Sequence, residues 1–183
     1  ENGSRRNAHR SRISMEGITC IVCHRRGTKH YKSSGRVPVE PGAFDEGCMF
    51  GPFEDSQMSA GVGGHPSAKH PYIKTSQFCG ECHDVFSPEG VRLEEAFSEW
   101  QNSPAAKDGI TCQQCHMGPV QGVPIADCDR PIGPAAIIPG VNPKDMPQRH
   151  LTDHTFAGPD YSMLPDTEFP EKLDWMYETD YRD

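Results

Sequence analysis

The sequence is poor in apolar residues and contains no long apolar run. Hydrophobic residues make up 34% of the 183 residues, whereas 18 Gly and 17 Pro together account for about a fifth of the chain. No stretch reaches the roughly 18 consecutive apolar residues that a membrane-spanning helix needs, so none is predicted. A chain of this composition cannot easily build a core from its side chains alone. We therefore predict short helices, mainly irregular backbone, little or no β-structure and a core that depends on bound groups.

Most of the cysteines belong to three copies of one motif. Six of the eight cysteines form the pattern Cys-x-x-Cys-His, at residues 20–24, 79–83 and 112–116. This pattern is the attachment signature of a c-type haem, in which two thiols bond to the porphyrin and the histidine ligates the iron. The sequence thus predicts three haem c groups, attached through Cys20, Cys23, Cys79, Cys82, Cys112 and Cys115. The predicted proximal iron ligands are His24, His83 and His116.

Two other uses of paired cysteines explain the motif less well. A redox-active dithiol needs a thioredoxin-like βαβ context, which the sequence does not provide. A structural zinc site needs four ligands, and three cysteine pairs do not divide evenly into such sets. Neither alternative requires a histidine after every pair, so haem attachment is the preferred interpretation.

The motif also predicts the compartment. Haem attachment of this kind takes place outside the cytoplasm, and the sequence begins at Glu1, so we expect the mature part or a fragment of a secreted precursor. The expected location is the periplasm, the cell surface or the extracellular space. The two cysteines outside the motifs, Cys48 and Cys128, then predict a disulfide, which would stabilise the fold by roughly 2–5 kcal/mol. The alternative is a pair of unrelated buried thiols.

The sixth iron ligand decides what such haems can do. Three distal ligands are needed, and the remaining histidines exceed that number; they are His9, His30, His65, His70, His150 and His154. The seven methionines are the other candidates, and they would raise the reduction potentials. The excess of histidine favours imidazole on both faces of each haem. With both axial positions filled, small molecules cannot bind the iron, and outer-sphere electron transfer is the chemistry that remains.

Charge is distributed unevenly along the chain, whose net charge is −8. Residues 1–36 contain nine basic and two acidic residues, whereas residues 166–183 contain seven acidic and two basic residues. The arginines of the first segment are expected to pair with haem propionates. The alternative is head-to-tail association of copies of the chain into an open, conducting filament. We predict a trihaem domain over residues 1–165 and an acidic tail over 166–183, and no nucleic-acid binding.

Local patterns add a repeat and one helix. The residues Glu16-Gly17-Ile18-Thr19-Cys20 parallel Asp108-Gly109-Ile110-Thr111-Cys112, so the domain would begin in mid-module if an upstream haem site is missing. A helix is predicted over residues 91–102, where Leu93, Phe97 and Trp100 fall on one face. Residues 37–64 and 117–149 are predicted to be loops because they are rich in Pro and Gly. A short helix within residues 168–181 is a weaker prediction.

Several segments together resemble multihaem c-type cytochromes, the family that includes the tetrahaem electron acceptor of hydroxylamine oxidation and many larger secreted cytochromes. The segments are QFCGECHD (77–84), EAFSEW (95–100), CQQCHM (112–117) and HTFAGPDY (154–161). The resemblance covers most of residues 7–165 and implies a fold organised around a stacked haem core. It also implies distal ligands at His9, His65 and His154, with His70 as the rival of His65, and His30 and His150 behind them. The chain departs from the family pattern at its beginning, where no haem site precedes His9.

These observations predict an electron carrier, not an enzyme. It would exchange electrons with redox partner proteins, or with copies of itself in the head-to-tail alternative. The other class is a haem enzyme, or the electron-transfer subunit of one, that reduces a small nitrogen or oxygen substrate at a haem with an open site. No motif histidine is replaced by lysine and histidine is plentiful, so the carrier is favoured.

Overall fold

A computed structural model of the protein describes residues 18–27, 33–43, 45–54, 65–120, 122–135, 139–154 and 156. The helices in these ranges are Cys20–His24 (α1), Ser76–Gly80 (α2), Ala96–Asn102 (α3), Pro104–Lys107 (α4) and Cys112–His116 (α5). The strands are Met49–Gly51 (β1), Ser67–Lys69 (β2), Val85–Phe86 (β3), Arg92–Glu94 (β4), Ile132–Pro134 (β5) and Gln148–His150 (β6). Single 3-10 turns span Pro71–Lys74, Asp127–Asp129 and Pro143–Asp145. The prediction of a mainly irregular chain with short helices and little β-structure is confirmed at this level.

The strands pair in twos. β1 and β2 are parallel, with Phe50 opposite Ala68, whereas β3–β4 and β5–β6 are antiparallel. β1, β5 and β6 lie in the two segments predicted to be loops, so that prediction was wrong over those residues. Each of these strands is only three residues long, so few hydrogen bonds are needed to form it within a segment rich in Pro and Gly. Pro134 is tolerated because it ends a strand that has one neighbour.

The helix predicted over residues 91–102 begins later than expected. Arg92–Glu94 forms β4 because it pairs with β3, and the Leu93 side chain is 66% exposed. Helix α3 carries the rest of the predicted stripe. Its Phe97 and Trp100 rings stack with centroids 5.5 Å apart, and Phe97 lies so close to Gly80 that a Cβ there would overlap the ring. Trp100 Nε1 donates to Ile110 O at 2.8 Å, which ties α3 to the approach to α5.

Few apolar side chains are buried in the described part of the chain. Within it the buried hydrophobic residues are Tyr72, 2% exposed, and Phe78, 8% exposed. The buried polar residues are more numerous: Arg25, Arg26, Ser76, Glu81 and Arg130. These residues surround the motif turns, so polar contacts hold together the region around the cysteines. Among the same residues, no helix has the length and apolar character to cross a membrane.

Several predictions fall on residues outside the described ranges. These are the distal candidates His9 and His30, most of the basic segment before Ile18, the acidic tail over 166–183 and the weak helix within 168–181. The division into residues 1–165 and 166–183 also stays a prediction.

Candidate functional site

Each Cys-x-x-Cys-His motif forms one helical turn. α1 and α5 coincide with the first and third motifs, and their N-cap threonines have similar backbone angles, Thr19 (φ −92°, ψ 169°) and Thr111 (φ −87°, ψ 161°), although only Thr111 belongs to a capping box. The repeat seen in the sequence therefore has the same local structure from this threonine to the motif histidine. The second motif starts in α2 and continues as a turn in which the His83 N–H donates to Cys79 O at 2.9 Å. Because residues three and four apart share one side of a helix, each turn groups two thiols with an imidazole.

The second and third motifs are in direct contact through their first cysteines. The thiol of Cys79 shares a hydrogen bond with Cys112, which raises the pKa of Cys79 far above its ordinary range. The same hydrogen bond lowers the pKa of Cys112 to about 6, and it outweighs burial. The backbone of Cys112 donates to Ser76 Oγ at 3.1 Å, and Gln113 Nε2 donates to Thr75 O at 2.9 Å. Helices α2 and α5 are thus fixed side by side.

The first motif joins the same cluster through Cys23 and Arg26. Burial raises the pKa of the Cys23 thiol; nearby Arg26 opposes the rise, and Cys82 of the second motif adds to it. Arg26 also donates to Phe78 O at 3.3 Å, and Cys112 is bonded to Ser76 of α2. All three motifs therefore lie in one small region, which we call the motif centre: Cys23, Cys79, Cys82, Cys112 and Arg26. The chain brings these residues together across up to 89 positions of sequence, and no spacing in the sequence indicates that proximity.

A buried ion pair lies beside the motif centre. Arg26 is 3% exposed and Glu81, between the cysteines of the second motif, is 2% exposed; their side chains form a salt bridge. The Tyr72 hydroxyl donates to the second Glu81 oxygen. The Arg26 guanidinium also lies over the Phe78 ring, 3.8 Å from its centroid. This pair links the residue two positions after His24 to the interior of the second motif.

Two further arginines anchor the ends of motif turns. Arg25 donates to Gly42 O at 2.6 Å and to Ala43 O, and Arg130 donates to Gln113 O at 3.0 Å and to Met117 O. These buried side chains satisfy carbonyl groups that the short helices or loops leave open. Arg25 and Arg26 therefore bind groups of the chain itself, and the pairing of the other arginines of the first segment with propionates stays a prediction.

The motif histidines differ in what their Nδ1 atoms contact. His24 Nδ1 lies 2.7 Å from Phe50 O, a backbone carbonyl in β1. His83 Nδ1 lies 2.9 Å from Glu94 Oε1, a carboxylate in β4. His116 ends α5 and is partly buried. An Nδ1–H that donates to such an acceptor fixes the ring and leaves Nε2 for a metal, which is the common arrangement around ligating histidines.

One predicted distal ligand lies next to a motif histidine. The His154 ring centroid is 6.2 Å from that of His24, with an interplanar angle of 29°. The His154 Nδ1 lies 2.9 Å from Thr152 O, so both rings use Nδ1 for a backbone carbonyl. The two imidazoles are therefore near neighbours in the fold, although 130 positions separate them in the sequence.

The other described distal candidates have different surroundings. His65 Nδ1 lies 3.2 Å from Pro66 O and 3.3 Å from Ser67 Oγ. His150 Nδ1 lies 3.2 Å from Arg130 O. The His70 ring meets Phe50 and Tyr72 edge-on, and its buried Nδ1 has no hydrogen-bond partner within the described residues. The structure does not pair any of these three with a particular motif.

The two cysteines outside the motifs are free thiols in the structure, so the predicted disulfide between Cys48 and Cys128 is not formed in it. Cys48 is partly buried directly before β1, and burial raises its pKa. Cys128 is exposed in the 3-10 turn Asp127–Asp129, where its thiol lies 3.7 Å from Asp129 Oδ1. Each is held in the local structure of its own segment.

The residues present fit haem better than a bare metal ion. Among the described residues, no three His, Cys, Asp or Glu side chains form a cluster that would hold a metal. Porphyrin iron takes only two protein ligands, whereas structural zinc needs four, and His24 and His154 are two neighbouring imidazoles. The scarcity of buried apolar side chains around the motif turns also suits large apolar groups attached there.

No protein-family description matches the chain, and neither a curated protein nor a solved structure shows significant similarity to it.

Proposed function

We propose that the chain is a secreted electron-transfer protein that carries three covalently attached haem c groups. The observation that carries the proposal is the motif centre, in which all three Cys-x-x-Cys-His turns meet, with His154 beside His24 at 6.2 Å between ring centroids. A redox-active dithiol needs one cysteine pair, so it does not account for three such turns in contact. The resemblance to multihaem c-type cytochromes leads to the same proposal from the sequence.

The residues have separate tasks in this proposal. The six motif thiols form the thioether attachments, and His24, His83 and His116 are the proximal ligands. His154 is the distal ligand of the haem attached to Cys20 and Cys23. Phe50 O and Thr152 O orient the two imidazoles of that pair through their Nδ1 atoms. Bound haem iron supplies a one-electron redox couple, whose potential depends on axial ligands, hydrogen bonds and burial.

A haem iron with both axial positions filled is closed to small molecules and is left with electron transfer. In the His24–His154 pair both rings are tied to the backbone, so neither ring leaves without breaking a hydrogen bond to a carbonyl. An enzyme that reduces a nitrogen or oxygen compound would need an exchangeable sixth position. The paired imidazoles therefore support a carrier that exchanges electrons with partner proteins outside the cytoplasm.

Mass spectrometry and carbon monoxide together test this function. The denatured protein is expected to carry three porphyrin masses, because thioether bonds survive denaturation. The absorption spectrum of the reduced native protein is expected to stay unchanged when carbon monoxide is added, because both axial positions of each iron are filled. Fewer than three retained porphyrins would contradict the attachment, whereas a carbon monoxide adduct in the unaltered protein would favour the enzyme.

Replacing His154 by alanine tests the distal assignment. His154→Ala is expected to convert one of the three haems to a form that binds carbon monoxide, since its sixth ligand is lost, while the other two keep their spectra. The measurement is the carbon monoxide difference spectrum, quantified per haem. Thr152→Val is the matched control because it keeps the carbonyl that orients His154. An unchanged spectrum in His154→Ala would reject the assignment.

A further inference from the structure

The second motif histidine is bonded to a charged side chain, unlike the first. His83 Nδ1 lies 2.9 Å from Glu94 Oε1, whereas His24 Nδ1 and the predicted distal His154 Nδ1 face backbone carbonyl oxygens. A carboxylate accepts the Nδ1 proton more strongly than a carbonyl does and makes the imidazole a more basic ligand. The chain therefore contains two chemically different kinds of imidazole at its motif turns.

The fold places Glu94 next to His83 by two connections. β3 starts two residues after His83, and β4 pairs with it so that Glu94 lies opposite Val85. The first turn of α3 is fixed to the motif because the Phe97 N–H donates to His83 O at 2.9 Å. The carboxylate is thus held by a strand on one side and by a helix on the other.

The neighbouring acidic residue is used differently. Arg92 Nη1 donates to Glu95 Oε2 at 3.0 Å, so the charge of Glu95 is matched within the same short stretch. Glu94 and Glu95 have side-chain exposures of 39% and 54% and lie next to each other in sequence. The two carboxylates differ in partner, so they form a natural comparison.

We propose that Glu94 is a positioning residue that sets the potential of the haem attached to Cys79 and Cys82 below the value it would have with a neutral acceptor. The inference rests on the proposed function, since it concerns the iron that His83 would ligate. Reduction of the bound iron would take one electron from a redox partner protein, with no bond formed or broken and the Nδ1 proton kept on His83. A more basic imidazole stabilises the ferric form, which carries the larger positive charge, so the haem becomes harder to reduce.

The test is a potentiometric titration of the three-haem protein and of Glu94→Gln. Glutamine keeps an oxygen that accepts from Nδ1 but removes the negative charge, so the ring orientation is retained. Removing a group that bonds to a metal-ligating histidine changes metal affinity or activity by about 10- to 100-fold. We expect a change in the reduction equilibrium at the lower end of that range, because the His83 and Glu94 side chains are 66% and 39% exposed. A change of about tenfold in the reduction equilibrium of one haem corresponds to an upward shift of its reduction potential by about 59 mV for a one-electron couple.

Glu95→Gln is the matched control. It removes the same charge one residue away without touching His83, so it is expected to leave all three potentials close to those of the unaltered protein. A shift of one potential in Glu94→Gln alone supports the proposal. Equal shifts in both variants would assign the effect to general charge, and three unchanged potentials in Glu94→Gln would assign Glu94 a purely structural role; either result overturns it. An unaltered protein without three porphyrin masses would refute the proposed function before any variant is compared.

Discussion

Glu81→Ala is expected to lower the free energy of unfolding by about 3–5 kcal/mol. The change removes the carboxylate that pairs with Arg26 and accepts from the Tyr72 hydroxyl, in a region where the Arg26 and Glu81 side chains are each 2% exposed. An arginine cannot escape the penalty by losing its proton, so its charge would be left buried without its counterion. The result would identify this residue, inside the second motif, as a main structural link between the first and second motifs.

Denaturant titration of the three-haem protein, followed by far-UV circular dichroism, measures the change. The double variant Arg26→Met with Glu81→Leu is expected to be more stable than Glu81→Ala, because it removes both charges and fills the space with apolar groups. Glu54→Ala is the surface control. Its partner Lys69 is exposed, so the loss should stay below about 1 kcal/mol. A Glu81→Ala variant no less stable than Glu54→Ala would show that the buried pair does not hold the motifs together.

The chain without haem is expected to lose cooperative folding. Ordering the backbone costs roughly 1–2 kcal/mol for each residue, and burial of apolar groups is the main opposing term. In the described ranges the fully buried hydrophobic residues are Tyr72 and Phe78, and large apolar residues such as Ile18 and Ile132 are exposed. Under the proposed function, the attached haems would supply further apolar surface around which the chain folds.

A variant with serine at all six motif cysteines provides the haem-free chain. We expect no sigmoidal thermal transition by circular dichroism, in contrast to the three-haem protein. The control replaces Cys48 and Cys128 by serine. It is expected to keep all three haems and the sigmoidal transition, since these thiols lie outside the motifs and are unpaired in the structure. A cooperative transition in the haem-free chain would refute the dependence on haem.

Local features of the site could be predicted from the sequence. The repeated Gly-Ile-Thr before Cys20 and Cys112 was visible in the sequence, and in the structure each copy leads into one short helix. The abundance of Gly and Pro predicted the irregular backbone. These features depend on neighbours in the chain, so sequence order is enough to specify them.

Features that depend on distant contacts could not be predicted. The start of the helix over 91–102 was wrong because pairing of β4 with Val85–Phe86 overrides a helical pattern of apolar residues. Arg26, Glu81 and Glu94 were missed as parts of the site. A partial signal existed for the first two, since a carboxylate inside one motif and a guanidinium just after another have opposite charges. No spacing in the sequence connects Glu94 with His83.

The acceptors at the first and second motifs differ in how readily mutation can alter them. His24 is oriented by Phe50 O, and every amino acid supplies a carbonyl at that position, so no substitution deletes this acceptor. His83 is oriented by a side chain, and a single nucleotide change that turns a glutamate codon into one for glutamine removes its charge. One substitution can therefore change the acceptor at the second motif, whereas no substitution removes the acceptor at the first.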